Sequence, residues 1–200
     1  MRKFAALAAF AAALSFTAPA SAMDGKGLAT FKAKNACSKC DLKRASISRG
    51  QHENANLSRA TLRDLDAKEI NLRNADLSRS DMRRADFEKA DLSGANMFRA
   101  NAAGADFEKA MLAKANFSQA DLAESDMEKA DMTGTNLSDS IMTNVLAKRV
   151  TLIGANMTKA DMERIRLERA DLTSASMQRV NLKYADLERA ILRNVDMKDA

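Results

Sequence analysis

From Leu42 to Met197 every fifth residue is large and apolar: 28 of these 32 positions are Leu, Ile, Met or Phe, and the exceptions are His52, Ala67, Ala102 and Ala147. Two residues before each stands a small one, with Ala, Ser, Gly, Cys or Thr at 25 of 32 positions, and between the two lies Asp, Asn, Ser or Thr at 26 of 32. A period of five excludes both common regular structures. On an α-helix five residues advance ~500°, so the apolar positions would scatter around the axis. In a long strand each successive apolar residue would fall on the opposite face. What remains is a chain of short extended segments. In each, the small and the large residue point the same way, and the next two residues turn a corner.

A second period counts the corners. Glu88-Lys89-Ala90 recurs at Glu108-Lys109-Ala110 and Glu128-Lys129-Ala130, and Glu168-Arg169-Ala170 recurs at Glu188-Arg189-Ala190. The spacings are multiples of 20, so four repeats make one coil with a square section. Thirty-two repeats predict about eight coils and, at ~4.8 Å per layer, a rod ~38 Å tall. The exceptions keep this register. Ala67 is flanked by Leu65 and Ile70, and Ala147 by Val145 and Val150. Where the large inward residue shrinks, the small ones beside it grow, as constant packing density requires. Composition agrees: Trp is absent and aromatics are 4%, so thin, similar layers of Ala, Leu and Met replace a core of bulky rings.

The units Ala75-Asp76-Leu77, Ala90-Asp91-Leu92 and Ala170-Asp171-Leu172 resemble those of the pentapeptide-repeat family, and the resemblance covers residues 40–200. It implies an all-β fold, a right-handed quadrilateral β-helix, and a non-enzymatic role, since most members of the family are not enzymes.

The domain organisation is read as a signal peptide at 1–22, a cap segment at 23–39 and the repeat solenoid at 40–200. Arg2 and Lys3 precede an apolar run from Phe4 to Phe16, too short to span a bilayer, and Ala20-Ser21-Ala22 is a small-x-small cleavage site. Cleavage after Ala22 would give a periplasmic or secreted product with no transmembrane segment. Without Arg2 and Lys3 the balance is 30 basic to 27 acidic residues, a net of +3, which does not by itself call for nucleic acid. Leu28, Phe31 and Ala36 are expected to cover the first coil. The repeats run to Met197 with no second cap visible, which predicts an end-to-end homodimer through the C-terminal coil.

Few residues suggest chemistry. Cys37 and Cys40 form the only cysteine pair, and in an oxidising compartment a disulfide closing the top of the solenoid is the expectation. A redox-active pair would open a helix beside a βαβ unit, and none is present. His52, the only histidine, takes a large inward position in the least regular repeat. The Asp/Asn column is expected to bond local backbone and support the turns, which accounts for only seven Gly and one Pro. No catalytic residue, cofactor site or metal site is expected.

Charge is more informative. Arg49, Lys89, Lys109, Lys129, Arg149, Arg169 and Arg189 stack in one column broken by Glu69. Neighbours there repel by ~0.9 kcal/mol in water, but Glu88, Glu108, Glu128, Glu168 and Glu188 run alongside and point to a solvated, paired face. Arg59, Arg79 and Arg99 stack on another side behind Ser58, Ser78 and Phe98, with Arg63, Arg83 and Arg84 around the corner. These six arginines are the candidate patch for an anionic partner. The favoured function is therefore an envelope scaffold that binds a protein or an anionic envelope component. Two alternatives are a mimic of duplex DNA that inhibits a topoisomerase, and a thiol–disulfide protein using Cys37 and Cys40. A mimic needs a mostly acidic surface, and no nucleic-acid partner is expected.

Overall fold

The computed structural model describes residues 25–200, so the signal-peptide expectation at 1–22 lies outside the described residues. One helix, α1 (Gly25–Lys34), leads into a parallel ladder in which each paired residue meets the one twenty positions on, from Ala36↔Asn56 to Ser176↔Asp196. Four repeats therefore complete one coil of a β-solenoid. Pairing begins at Ala36, so the unit from Ala36 to Cys40 already belongs to the ladder.

One rung shows how the sequence builds the stack. The Leu57 N–H donates to the Asp76 carbonyl at 2.7 Å, and the Asp76 N–H returns to the Ala55 carbonyl at 2.8 Å. The corner is a four-residue turn closed by Ala60 N–H on the Leu57 carbonyl at 3.1 Å. Its third residue, Arg59, has φ 58°, the feature that marks a type II turn. The same holds at every corner from Lys39 to Asp199: the last residue of each repeat lies at φ 53–61°, or 65–70° where it is Gly94, Gly104, Gly134 or Gly154. Glycine is the usual choice at this position, because a side chain in the left-handed region costs ~1–2 kcal/mol. Here Arg and Lys fill many of the corners.

The Asp/Asn column helps to hold them, as the sequence predicts. Asp41 Oδ1 accepts the Lys43 N–H at 2.9 Å, Asn56 Oδ1 the Ser58 N–H at 3.1 Å and Asp126 Oδ1 the Glu128 N–H at 2.8 Å. On one side the side chains also bond each other from coil to coil. Asn96 Nδ2 donates to Asp76, Asn116 to Asn96, Asn136 to Asn116 and Asn156 to Asn136, at 3.1–3.4 Å.

The interior is the two predicted columns. Leu92, Leu112 and Met132 are fully buried, as are Ala90, Ala95 and Ala130. Both compensated sites are closed: Leu65, Ala67 and Ile70, like Val145, Ala147 and Val150, are at most 1% exposed. Phe87 stacks on Phe107 with centroids 5.4 Å apart, and Phe107 meets Phe117 edge to face at 5.8 Å.

Helix α1 covers the first coil. Phe31 is fully buried and Leu28 packs on the same core. Gly27 lies so close to the coil that a Cβ there would be 2.7 Å from the Asp41 carbonyl oxygen. His52, half-buried, takes the large inward position beneath the helix: its ring is 4.3 Å from that of Phe31, and Nδ1 is 2.8 Å from Asn35 Oδ1. Gly50 leaves room for that ring, since a Cβ there would be 2.6 Å from His52 Cδ2. Burial, aided by the charge of Lys32, holds the His52 pKa below its ordinary value. Cys37 occupies an inward slot of the first unit and is bonded to Cys40, with Cα atoms 5.5 Å apart. Among the described residues no helix is long and apolar enough to cross a membrane.

A candidate anion-binding face

The corners carry the charges. Because each corner residue from Lys39 to Arg179 is fixed in the left-handed region and bonded to the coil above, its side chain projects at a regular height. The Lys39 N–H donates to the Ser58 carbonyl at 2.9 Å, Arg59 to Ser78 at 2.8 Å and Arg79 to Phe98 at 2.9 Å. Lys39, Arg59 and Arg79 are therefore successive rungs of one column, at the ~4.8 Å spacing of the ladder.

These three cations line a shallow groove of about 430 Å³ with Ser38, Ser58, Ser78, Asp76, Asn96 and Phe98. None of the three forms an ion pair among the described residues. Arg99, one rung further, lies with its guanidinium 5.1 Å from the Phe98 ring centroid and donates from Nε to Gln119 Oε1 at 2.7 Å.

The other half of the predicted patch is different. Arg83 grips Asp81 with two bonds of 2.8 Å. Arg63 Nε is 2.9 Å from the same carboxylate but off the axis of a hydrogen bond. Arg84 holds Asp64 at 2.8 and 3.2 Å. Arg84 keeps the Asp64 carboxyl below its ordinary pKa, and Arg83 does the same for Asp81. Arg63, Arg83 and Arg84 are thus engaged with carboxylates, while Arg59 and Arg79 are free to meet a ligand. Lys39, which falls in the segment read as a cap, joins them. The signal was its spacing of 20 from Arg59.

Most of the long basic column is a paired face, although Arg149 and Arg169 form no ion pair among the described residues. Lys89 binds Glu88 at 2.8 Å, Lys109 binds Glu108 at 2.8 Å, Lys129 binds Glu108 at 3.2 Å and Arg49 binds Glu69 at 3.1 Å. Lys89 and Lys68 hold the Glu88 pKa down to about 2. Beside it runs an acidic column, Asp66, Asp86, Asp106 and Asp126, paired coil to coil. Burial, together with Asp86, Asp126 and Glu88, raises the Asp106 pKa. Lys68 answers this column through Asp86 at 2.9 Å and Glu88 at 3.2 Å. Among the described residues no three His, Cys, Asp or Glu side chains are grouped to hold a metal.

A family model described as pentapeptide repeats matches residues 40–101 and 103–199 in overlapping stretches, and the chain belongs to that family. No curated protein matches it. Among solved structures, a trypsin-treated form of QnrB1, a plasmid-mediated fluoroquinolone resistance protein, is similar with a TM-score of 0.70 at 17% identity, over 82% of this chain and 89% of that one. HetL, a pentapeptide repeat protein involved in heterocyst differentiation regulation from the cyanobacterium Nostoc, matches at 23% identity over 84% of this chain and 92% of its own, with a TM-score of 0.40.

Proposed function

We propose that this pentapeptide-repeat protein is a non-enzymatic scaffold, exported to the bacterial periplasm or beyond, that binds an anionic partner or the anionic surface of a protein along one solenoid side. The fold we assign is the right-handed, four-sided coil of about eight turns. The observation that carries the reading is the groove in which Lys39, Arg59 and Arg79 stand in register without carboxylate partners. Elsewhere the corner cations are mostly matched: Lys109 has Glu108, Arg84 has Asp64, Arg49 has Glu69. A column of like charges at ~4.8 Å costs stability that a linear polyanion would recover.

The test is a pull-down from envelope extract with the native protein beside an Arg59→Glu/Arg79→Glu/Arg99→Glu variant. Partners lost from the variant support the reading, and identical partner sets refute it. The last coil leaves Leu192 and Met197 43% and 37% exposed, which supports an end-to-end pairing of two copies. Sedimentation at tens of micromolar should then show a dimer, and a strict monomer excludes it.

The duplex-DNA mimic has one observation in its favour, the Asp66, Asp86, Asp106 and Asp126 column beside Glu88, Glu108 and Glu128. Lysines 68, 89, 109 and 129 stand against it by pairing with those carboxylates. A supercoiling assay that shows topoisomerase inhibition at micromolar protein would favour the mimic over the scaffold.

A further inference from the structure

We infer that the polyanion this groove takes is an acidic polysaccharide with one carboxylate per sugar, laid along the solenoid axis. The inference rests on the anionic-partner reading and narrows it to a substrate class.

Spacing comes first. Lys39, Arg59 and Arg79 repeat with the ladder, at ~4.8 Å. A chain of pyranose rings linked through opposite ring positions advances by nearly this distance per sugar and turns each ring over relative to the last, so same-side uronate carboxylates recur every two rungs and stay in step with alternate cations such as Lys39 and Arg79. An extended acidic peptide presents its same-side carboxylates every second residue, ~6.6 Å apart, and loses register within three rungs.

The neutral groups come second. The groove places Ser38, Ser58 and Ser78 beside the cations, with Asp76 and Asn96 among its walls. In a site for bare phosphate or carboxylate, Asp76 would repel the ligand. For a sugar it is a strong acceptor for ring hydroxyls. One of its oxygens is already held by the Ser78 N–H at 3.0 Å and by Asn96 Nδ2 at 3.3 Å, so the carboxylate is fixed in place, and its other oxygen has no hydrogen-bond partner among the described residues.

The aromatic comes third. Phe98 replaces the serine that precedes Arg59 and Arg79 in the two lower rungs, and its ring lines the groove. A flat apolar surface beside hydroxyl partners suits the C–H face of a pyranose, which has little to offer to phosphate or an acidic side chain. Arg99 and Gln119 support this end of the groove.

The experiment is titration of the purified protein with fluorescent oligogalacturonates of increasing length, their methyl esters, an oligoglutamate and an inorganic polyphosphate. Affinity for oligogalacturonate should rise up to four sugars, the span of the column from Lys39 to Arg99, and then level off. Arg79→Gln should weaken it about tenfold, the loss of a charge-assisted hydrogen bond. Phe98→Ala should weaken it about fivefold and leave oligoglutamate binding unchanged. Esterification should abolish it. If oligoglutamate or polyphosphate binds as tightly as oligogalacturonate, the sugar assignment is overturned while the anionic groove stands. If no polyanion binds better than the neutral ester, both readings fall.

Discussion

Replacing Gly27 by Ala should undock the N-terminal cap. The new Cβ would lie 2.7 Å from the Asp41 carbonyl oxygen and 3.5 Å from Cys40 Cβ. The nearer contact is to backbone held in the ladder, so the helix must retreat by about 0.7 Å to reach ordinary contact at 3.4 Å. What it gives up is chiefly the packing of Phe31, which is fully buried. A buried Phe covers ~200 Å², or ~5 kcal/mol at ~25 cal/mol per Å². A gap of ~0.5–1 Å forfeits a quarter to a half of contact energy, so the loss should be roughly 1–2.5 kcal/mol. In a solenoid this loss is local. Hydrogen exchange should therefore quicken at the Cys37 and Leu42 amides, which donate to Asn56 and Thr61 at 2.7 and 2.8 Å, and not at Leu112. Gly25→Ala is the control, since nothing lies within 4 Å of its Cβ and helix propensity favours Ala by up to ~1 kcal/mol. Equal protection of the first coil in both variants would refute the close approach.

Other outcomes follow from the same structure. Ala147→Leu should overpack the layer already filled by Val145 and Val150 and lower stability by ~1–3 kcal/mol in urea unfolding. The His52 pKa is depressed in the folded state, so the unfolded chain binds the proton first, and the cap should loosen as pH falls from 7.5 through 6. Exchange at the first-coil amides should show this, and His52→Gln should abolish the pH dependence. The Asp106 pKa is raised, so its charged form opposes folding above the carboxylate range. Asp106→Asn keeps an acceptor for the Glu108 N–H, at 2.8 Å in the native protein. It should raise the melting temperature at pH 7 and leave it unchanged at pH 3.

The architecture was legible because it repeats. Thirty-two copies of one pattern fix the inward columns, and the recurrence of Glu-Lys-Ala every 20 residues fixes the coil. What no pattern announced was the turn type. Arg59 or Lys109 at a corner reads as an ordinary surface charge, yet each holds a positive φ that sequence rules assign to glycine. Ladder bonds from the next coil outweigh that local preference, and they connect residues that no short window contains. The candidate site was legible in part. Arg59, Arg79 and Arg99 fall out of the 20-residue period. The loss of Arg63, Arg83 and Arg84 to Asp81 and Asp64 depends on side-chain reach around a corner. Lys39 was hidden because irregular residues precede it, and Phe98 was visible only as a break in a serine column.

Everything proposed for the groove depends on corner residues twenty apart standing one above another. Nitroxide labels at Arg59→Cys and Arg179→Cys, with Cys37 and Cys40 replaced by Ser, allow electron–electron double resonance to measure the column directly. Six coils separate the two sites, so the backbone separation should be ~29 Å, and moving the lower label to Arg79→Cys should shorten it by ~4.8 Å. A shift near ~30 Å for the same twenty residues, the rise of a continuous helix, or no consistent shift at all, would contradict the stacked column.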